Sequence, residues 1–288
     1  MKALIISRRR ELQRYYPQIE CLFERTFGKP LNPALWRQYY LDNPYGPACT
    51  VMLFVDKKLV AHYGLIPQVL NGMGNVTVPY FLGITLMVAP EQQNTELFIS
   101  LIRRTQEAAL LRDRHFILAF PNEIAFPPLN KLFDWPCLAE TPFYLMKVNS
   151  IQTESVRIRQ LERIEKNGEL AVPSDRIYWD WRCRVHLYQI CQVDKSVQLI
   201  YKALDKQTMD IMDLTAKDPR RALSDLFRFA TSLGFSQIVI TGYHAKQLGL
   251  EPSRLERWGR YTVRMCYCPL SQKERPKVGF NLTLCDVY

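Results

Sequence analysis

A regular cysteine framework, a long apolar run and the common catalytic fingerprints are all missing from this 288-residue chain. No apolar stretch approaches the roughly 20 residues of a membrane-spanning helix. The apolar start of the chain is also too short, before Arg8-Arg9-Arg10, for the core of a signal peptide. No P-loop, Rossmann glycine pattern or Ser/His/Asp order supports the reactions that those motifs carry. We therefore expect a soluble globular protein without a membrane span.

The eight cysteines have no spacing typical of a disulfide framework. We predict that they are reduced thiols and that the protein is cytoplasmic. Cys183, His186 and Cys191 lie near one another in sequence, as do Cys266 and Cys268. Neither group has the spacing of a standard zinc site, so we predict no metal.

The chain carries a net charge of +10, from 38 basic and 28 acidic residues. Such a field attracts phosphorylated donors, nucleotide-linked sugars, tRNA or anionic lipid. A basic surface without a specific partner explains the charge equally well, because Arg8-Arg9-Arg10 and Arg220-Arg221 are too short to form a nucleic-acid stripe. The charge alone leaves both interpretations open.

The segment from Tyr80 to Trp135 has the most informative pattern in the chain. An apolar run, Phe81 to Val88, ends at Ala89-Pro90, and an amphipathic helical pattern follows it. A second apolar run, His115 to Phe120, ends at Pro121-Asn122. Two apolar strands around such a helix predict a βαβ-like unit with parallel strands, whose ligands tend to bind at the carboxyl ends of the strands.

This order of elements resembles the acyl-CoA-binding core of the GNAT superfamily of N-acyltransferases. The short helix that ends in Leu132-Phe133-Asp134-Trp135 fits the same plan, and so does an upstream hairpin, Thr50 to Val55 and Leu59 to Ile66. The resemblance covers Gln13 to Val148. It implies the α/β (α+β mixed sheet) fold class, in which a twisted mixed β-sheet is flanked by helices.

The turn after the first strand departs from the family pattern. GNAT enzymes place Arg or Gln, two residues, Gly, one residue and then Gly or Ala here, so that backbone N–H groups at a helix N-terminus hold the cofactor's pyrophosphate. Gln93 fits the first position, but Glu96 stands for the glycine and Phe98 for the small residue. The carboxylates of Glu91 and Glu96 oppose an anion there. Glu96 is equally typical of an ordinary acid in a first helical turn.

The second half of the chain repeats this plan. Asp218-Pro219 opens a predicted helix that ends at Gly234, and a further helical stretch is predicted up to Trp258-Gly259. The predicted strands are Ser196 to Ala203, Thr208 to Leu214, Gln237 to Thr241 and Tyr261 to Tyr267.

The repeat predicts two GNAT-like domains, residues 1–148 and 176–288, joined by a linker at 149–175. The linker contains a charged helical piece from Val156 to Glu165. The aromatic and basic segment Tyr178 to His186 echoes the first half around Trp36. Both segments fit helix faces packed on a sheet, and both also fit a lid over an acceptor site.

The resemblance also implies site residues. In the GNAT plan an amine attacks a thioester carbonyl, a base takes the amine proton, and an N–H of the strand before the turn holds the oxyanion. The implied residues are His62, Tyr63 and Glu123 for catalysis; Leu86, Met87, Val88, Gln93, Asn94, Thr95 and Asn122 for the cofactor; and Tyr45, Arg182 and Arg184 for the acceptor.

Several of these residues also fit purely structural roles. A lone histidine on an alternating strand, such as His62, is typical of a satisfied structural residue. Asn122 and Glu123 fit the cap and first turn of a helix. Tyr45 lies in a turn of ordinary composition.

Two functions therefore compete. The first is an N-acyltransferase that moves an acyl group from acetyl-CoA, another acyl-CoA or a related thioester to an amine of a small metabolite or amino sugar, with cell-surface polysaccharide biosynthesis as one setting. The second is a CoA-independent GNAT-like protein, either an aminoacyl-tRNA-dependent transferase of the Fem type or a non-catalytic binding or scaffold protein. The unusual turn favours the second, while Pro121-Asn122 and Phe133-Asp134-Trp135 favour the first, and we expect the enzyme.

Overall fold

The computed structural model describes residues 1–72, 76–148, 158–160, 170–173, 175–270, 278 and 282. Contacts divide them into two compact units. The first unit holds Met1–Cys137 and a later segment that begins at Cys266, and the second holds Leu138–Met265. Most of the linker expected at 149–175 lies outside the described residues, so the domain boundaries stay a prediction.

The first unit is a mixed β-sheet with helices packed against it, as the sequence predicts. Its strands are β1 (Lys2–Ile6), β2 (Cys49–Val55), β3 (Lys58–Asn71), β4 (Thr77–Val88) and β5 (Phe116–Ala119). Its helices are α1 (Arg9–Phe27), α2 (Pro33–Tyr40), α3 (Thr95–Leu110) and α4 (Phe126–Phe133). The strands follow one another across the sheet in the order β1-β2-β3-β4-β5.

The predicted βαβ-like unit is confirmed in this sheet. β4 and β5 run parallel, with Phe81 opposite Ile117 and Gly83 opposite Ala119. The helix between them, α3, buries the apolar face that the spacing predicts, because those residues recur every three or four positions. The buried residues of that face are Leu97, Leu101, Ile102, Ala108 and Ala109.

Parallel and antiparallel strands also pair in the second unit. Its elements are β6 (Cys137–Lys147), β7 (Ile158–Gln160), α5 (Arg176–His186), β8 (Gln189–Val193), β9 (Val197–Ala203), β10 (Thr208–Ala216), α6 (Pro219–Ser232), β11 (Gln237–Thr241), α7 (Gly242–Gln247) and β12 (Glu256–Pro269). The strand order is β6-β11-β10-β9-β8-β7.

The repeated plan predicted for the second half is confirmed in β10, α6 and β11. β10 and β11 run parallel, from Thr208 opposite Gln237 to Asp210 opposite Val239. Asp218 caps α6 by accepting hydrogen bonds from two backbone N–H groups of the first turn. Gly234 follows the helix with a φ of +83°, the left-handed conformation expected at a C-terminal cap.

Each sheet is completed by a strand from outside the sequence half that builds its parallel pair. In the first unit, Cys266–Pro269 of β12 pair antiparallel with β5. In the second unit, β6 pairs antiparallel with β11, from Phe143 opposite Thr241 to Lys147 opposite Gln237. Local periodicity does not reveal such long-range pairing.

Two predicted helical stretches are wrong. The stretch up to Trp258 ends early, because Gly249 takes a φ of +70° and stops the chain from continuing as α7. Trp258 lies instead in β12. Within the expected helical piece Val156 to Glu165, only Ile158–Gln160 are among the described residues, and they form the edge strand β7, which pairs with β8. Pairing with a neighbouring strand here outweighs the local helical pattern.

None of the described helices is long and apolar enough to cross a membrane.

Candidate active site

Strand β4 contains a bulge two residues beyond its last pair with β5. Opposite β3, Ile84 faces Gly64 and Met87 faces His62, so Thr85 and Leu86 together face one residue. Thr85 has a φ of +50°. This conformation costs a β-branched residue roughly 1–2 kcal/mol, so surrounding contacts have to hold it in place.

The bulge lies where β4 loses its parallel partner. β5 ends at Ala119, opposite Gly83, whereas β4 continues to Val88. Residues 84–88 therefore have no partner on the β5 side among the described strands. Ile84, Thr85 and Leu86 are also only half-buried. The result is a stretch of strand whose edge is available to hydrogen-bond a ligand.

His62 fixes the bulge from the neighbouring strand. Its Nδ1 lies 2.9 Å from the backbone oxygen of Thr85. Because a carbonyl oxygen only accepts, Nδ1 carries the proton, and Nε2 of the neutral ring keeps its lone pair. Nε2 is buried without a hydrogen-bond partner among the described residues. Burial lowers the pKa of His62 to about 4, so the ring is neutral at physiological pH.

Tyr40 holds the bulge from α2. Its hydroxyl forms a hydrogen bond with the Thr85 hydroxyl, and its ring lies 6.0 Å from that of His62. Trp36 stacks on Tyr40 with a centroid distance of 5.2 Å. Asn32 starts this helix by accepting hydrogen bonds from two backbone N–H groups of the first turn, as the Asn-Pro start predicts.

Two glycines make room for the tyrosines around the bulge. A Cβ on Gly64 would overlap the Tyr40 hydroxyl and lie 2.9 Å from its Cζ. A Cβ on Gly83 would overlap the Tyr63 hydroxyl and lie 2.8 Å from its Cζ. Both tyrosines are fully buried and cannot move away cheaply. These glycines therefore provide space for a neighbouring ring.

Several side chains of the turn between β4 and α3 already have partners or add negative charge there. Asn94 caps α3, because its side-chain oxygen accepts the Leu97 N–H at 2.8 Å. Glu91 pairs with Arg25 of α1. Glu96 is exposed in the first turn of α3, where its charge suits the helix dipole. The Leu97 N–H, which could otherwise bind an anion, therefore already has a partner. The Glu96 carboxylate lies beside the other N–H groups of the first turn.

The predicted catalytic residues are placed in three different environments. Tyr63 is buried and points at Gly83, so it lies on the opposite face of β3 from His62. Burial raises the pKa of Tyr63, which is therefore a neutral phenol. Glu123 is exposed in the loop after β5. Among these three side chains, that of His62 forms a described hydrogen bond with the bulge.

The predicted cofactor residues fall into two groups. Leu86, Met87 and Val88 form the end of β4 that has no described partner on the β5 side. Gln93, Asn94 and Thr95 are exposed in the turn. Asn122 accepts hydrogen bonds from the N–H groups of Ile124 and Ala125 in the turn before α4, whose N-cap is Ala125, so the cap and first turn expected at Asn122 and Glu123 lie before the helix.

The predicted acceptor residues are divided between the two units. Tyr45, in the first unit, lines a recess with Arg112 and Arg114 rather than contacting the bulge. In the second unit, Arg182 is 1% exposed and packs over the Trp181 ring, whereas Arg184 is exposed. Arg182 therefore fits the alternative in which this segment is a helix face packed on a sheet.

The second unit has an equivalent bulge, again two residues beyond the last parallel pair. Met212 is the extra residue of β10, because Ile211 faces Tyr201 and Asp213 faces Ile200. Here buried side chains fill the point where the strands separate. Nε2 of His244 lies 3.3 Å from a carboxylate oxygen of Asp213, and both side chains are at most 1% exposed.

Further contacts of this pair come from the adjacent backbone and from Thr241. Asp213 accepts the Leu214 N–H at 2.9 Å. The Thr241 hydroxyl lies 3.1 Å from Nδ1 of His244 and also accepts the His244 backbone N–H. This buried network indicates a structural role for the second bulge, which distinguishes it from the first.

Sequence reasoning missed Thr85, Tyr40 and the Asp213–His244 pair. The continuous apolar run of β4 has no alternation that would expose a bulge. A signal was present in the glycines, since Gly64 and Gly83 interrupt strands that are otherwise built from large residues.

The described residues contain no group of three or more metal-ligating side chains. Cysteines 21, 49, 137, 183, 191, 266 and 268 are free.

Comparison with known proteins identifies the fold. No protein-family profile and no curated protein sequence matches the chain. Among solved structures, a conserved protein of unknown function from Enterococcus faecalis, titled a probable N-acyltransferase, superposes with a TM-score of 0.66 at 10% identity, over 94% of this chain and 73% of that one. A GCN5-related N-acetyltransferase from Anabaena variabilis gives 0.64 at 13% identity, over 94% and 73%.

The N-myristoyltransferase of Saccharomyces cerevisiae, solved with myristoyl-CoA bound, gives a TM-score of 0.55 at 10% identity, over 92% of this chain and 78% of that one. Identities this low establish shape only. The chain therefore has the fold of the GNAT-type N-acyltransferases.

Proposed function

We propose that the chain is an N-acyltransferase whose reaction centre lies at the β4 bulge of the first unit. The observation that carries the proposal is Thr85, held at a φ of +50° by Tyr40 and His62 where β4 separates from β5. Strained backbone that surrounding residues over-determine is typical of functional sites.

The proposed chemistry is direct transfer. The amine of the acceptor attacks the thioester carbonyl, the C–N bond forms, the C–S bond breaks, and the amine loses a proton as the thiolate leaves. Backbone N–H groups of Leu86 to Val88, on the unpaired end of β4, are the proposed donors to the developing oxyanion. Preorganised donors of this kind contribute roughly 3 kcal/mol each to lowering the barrier.

His62 is the proposed base, because Nε2 keeps a lone pair beside the bulge. Its lowered pKa makes it a weak base in the resting protein, so it takes the proton after the attack, when the nitrogen bonded to the carbonyl carbon has become a much stronger acid. Glu123, exposed after β5, is the proposed alternative base. Tyr63 faces the other side of β3 and supports the strand in this scheme.

The proposed donor is acetyl-CoA, another acyl-CoA or a related thioester. Support comes from the shared fold of the yeast N-myristoyltransferase, whose structure contains myristoyl-CoA. Gln93 and Thr95 lie at the turn that would receive the pyrophosphate, and Asn122 follows the neighbouring strand β5. Since Asn94 already caps α3 and Glu96 adds negative charge, we expect donor binding to depend mainly on the pantetheine and acyl parts.

The same turn favours a second candidate function. A GNAT-shaped protein that does not use CoA, either an aminoacyl-tRNA-dependent transferase or a binding and scaffold protein, needs no pyrophosphate site. The capped, acidic turn supports that candidate.

The acceptor in our proposal is an amine of a small metabolite or amino sugar, with a role in cell-surface polysaccharide biosynthesis as one setting. The acceptor role of Arg184, which is exposed on α5 of the second unit, stays a prediction. The free thiols of the described cysteines support a cytoplasmic location, which belongs to the proposal.

A thermal-shift titration tests the donor. At 100 times the Kd, acetyl-CoA is expected to raise the Tm by roughly 5 °C, since binding to the folded state alone adds about 2.7 kcal/mol. Glu96→Gln is expected to tighten acetyl-CoA binding severalfold, because it removes a carboxylate beside the pyrophosphate, and to leave acetyl-pantetheine binding unchanged.

Glu11→Gln is the matched control, because Glu11 is an exposed acid in the first turn of α1. It changes the net charge equally and is expected to have no effect. No shift with either thioester at millimolar concentration contradicts the proposal. A salt-sensitive gel shift with bulk tRNA then tests the second candidate.

A further inference from the structure

A recess of about 330 Å³ lies in the first unit, away from the bulge. Its lining comes from the turn before β2, from the middle of β3 and β4, and from the connection between α3 and β5. Phe81 on its wall precedes Thr85 by four residues on β4, or roughly 13 Å along a strand. The proposed acyl-transfer chemistry uses none of the lining residues.

Two arginines give the recess its charge. Arg112 and Arg114 both line it, and no acidic residue does. Neither arginine forms an ion pair with any residue that the structure describes. Arg112 donates one hydrogen bond, to the Ala108 backbone oxygen at the end of α3, which leaves most of its N–H groups available. That bond also offsets part of the negative end of the helix dipole.

Arg114 is the stronger indication of a ligand. Its guanidinium lies 5.5 Å over the Phe81 ring, which fixes its plane, and its buried Nε has no hydrogen-bond partner in the described part of the chain. Burial lowers the pKa of Arg114, which indicates that its charge is poorly solvated. A buried N–H without a partner costs about 1–3 kcal/mol, which an acceptor supplied by a ligand would recover.

The rim of the recess is rigidly built. Asn43 is buried, donates to the Pro67 backbone oxygen at 2.9 Å and accepts the Tyr45 N–H at 2.8 Å. Gly46 completes this turn at a φ of +112°, which glycine adopts readily. Cys49 adds no negative charge, because burial raises the pKa of its thiol to about 11.

We infer that this recess binds a small organic anion, whose carboxylate or phosphate group contacts Arg112 and Arg114 and whose apolar part lies against Phe81 and the rim prolines. Planar guanidinium groups match both oxyanions through paired hydrogen bonds. The volume is at the lower end for ligand sites, so the ligand is metabolite-sized. This site goes beyond acyl transfer and does not depend on it.

Titration calorimetry on the full chain, at fixed ionic strength, tests the inference with sodium benzoate and inorganic phosphate as separate probes. Saturable one-to-one binding of at least one probe is expected, and the stronger probe distinguishes a carboxylate from a phosphate ligand. Arg114→Met keeps an aliphatic stem over Phe81 and removes the charge, so it is expected to weaken binding at least tenfold. Arg9→Met is the matched control, because Arg9 is exposed on α1 and carries the same charge.

For the control Arg9→Met, we expect the Kd of the probe to change less than twofold. If Arg114→Met does not fold, Arg112→Gln serves instead, with the same tenfold loss expected. Absence of saturable binding for both probes overturns the inference. Equal weakening by Arg9→Met and by the recess variant also overturns it, because it shows attraction to the basic surface as a whole.

Discussion

Replacing His244 by leucine is expected to lower the free energy of unfolding by about 4 kcal/mol, because it removes the imidazole that lies beside a buried carboxylate and leaves that carboxylate poorly compensated. The carboxylate is that of Asp213, whose oxygen lies 3.3 Å from His244 Nε2 with both side chains almost fully buried. Leu214 N–H also satisfies that oxygen, but one neutral hydrogen bond does not replace the imidazole. Urea unfolding measures the change.

A double variant tests whether the Asp213 carboxylate causes this loss of stability. Adding Asp213→Asn removes the carboxylate and keeps an oxygen that can accept the Leu214 N–H. We expect the double variant to recover at least half of the loss, since a neutral amide is much cheaper to bury than an unpaired charge. A loss below about 1 kcal/mol for His244→Leu, or simple additivity of the two changes, contradicts the structural role of the pair.

The stability of the chain is expected to fall by about 3 kcal/mol between pH 6.5 and pH 4 through His62 alone. Burial lowers the pKa of His62 from 6.5 to about 4. Between these values the unfolded chain binds a proton that the folded chain does not, so stability decreases as the pH falls. Each unit of pKa shift corresponds to 1.36 kcal/mol, and the contribution levels off below pH 4.

His62→Gln is the comparison that isolates this effect from other titrating groups. Glutamine does not titrate, and its amide can still donate to the Thr85 oxygen. The difference in unfolding free energy between the two proteins is expected to change with pH across this window, in favour of His62→Gln at low pH. Parallel curves for the two proteins would show that His62 ionises normally and is not held neutral in the fold.

Much of the fold was predictable because it depends on local sequence patterns. The apolar run of β4, the spaced apolar residues of α3 and the stop at Pro121-Asn122 specify strand, helix and strand without tertiary information. The Asn32-Pro33 and Asp218-Pro219 starts are equally local, since a cap involves only the first turn.

The site was less predictable because its features depend on long-range contacts. Thr85 is an unremarkable residue in sequence, and its positive φ arises only through Tyr40 and His62 from other elements. The pairing of Asp213 with His244 likewise needs β10 and α7 to meet. Pairing of Cys266–Pro269 with β5 joins distant parts of the chain, which no local periodicity encodes.

One difference between the two units is the basis for assigning them different roles. Both have a bulge two residues beyond a parallel pair, but only the second fills it with a buried Asp213–His244–Thr241 network. In the first unit the end of β4 has no described partner on the β5 side and is half-buried except at Met87. We therefore expect the donor to bind in the first unit and the second unit to serve stability.

The most direct test uses methionine methyl groups as reporters, because Met87 follows the bulge of β4 and Met212 is the bulge of β10. The chain has eight methionines, so ¹³C-methyl spectra are simple, and Met87→Leu and Met212→Leu assign the two signals. On titration with acetyl-CoA, the account predicts a saturable shift of the Met87 signal while the Met212 signal stays in place. A shift of Met212 without Met87, or no shift of either at millimolar acetyl-CoA, would contradict it.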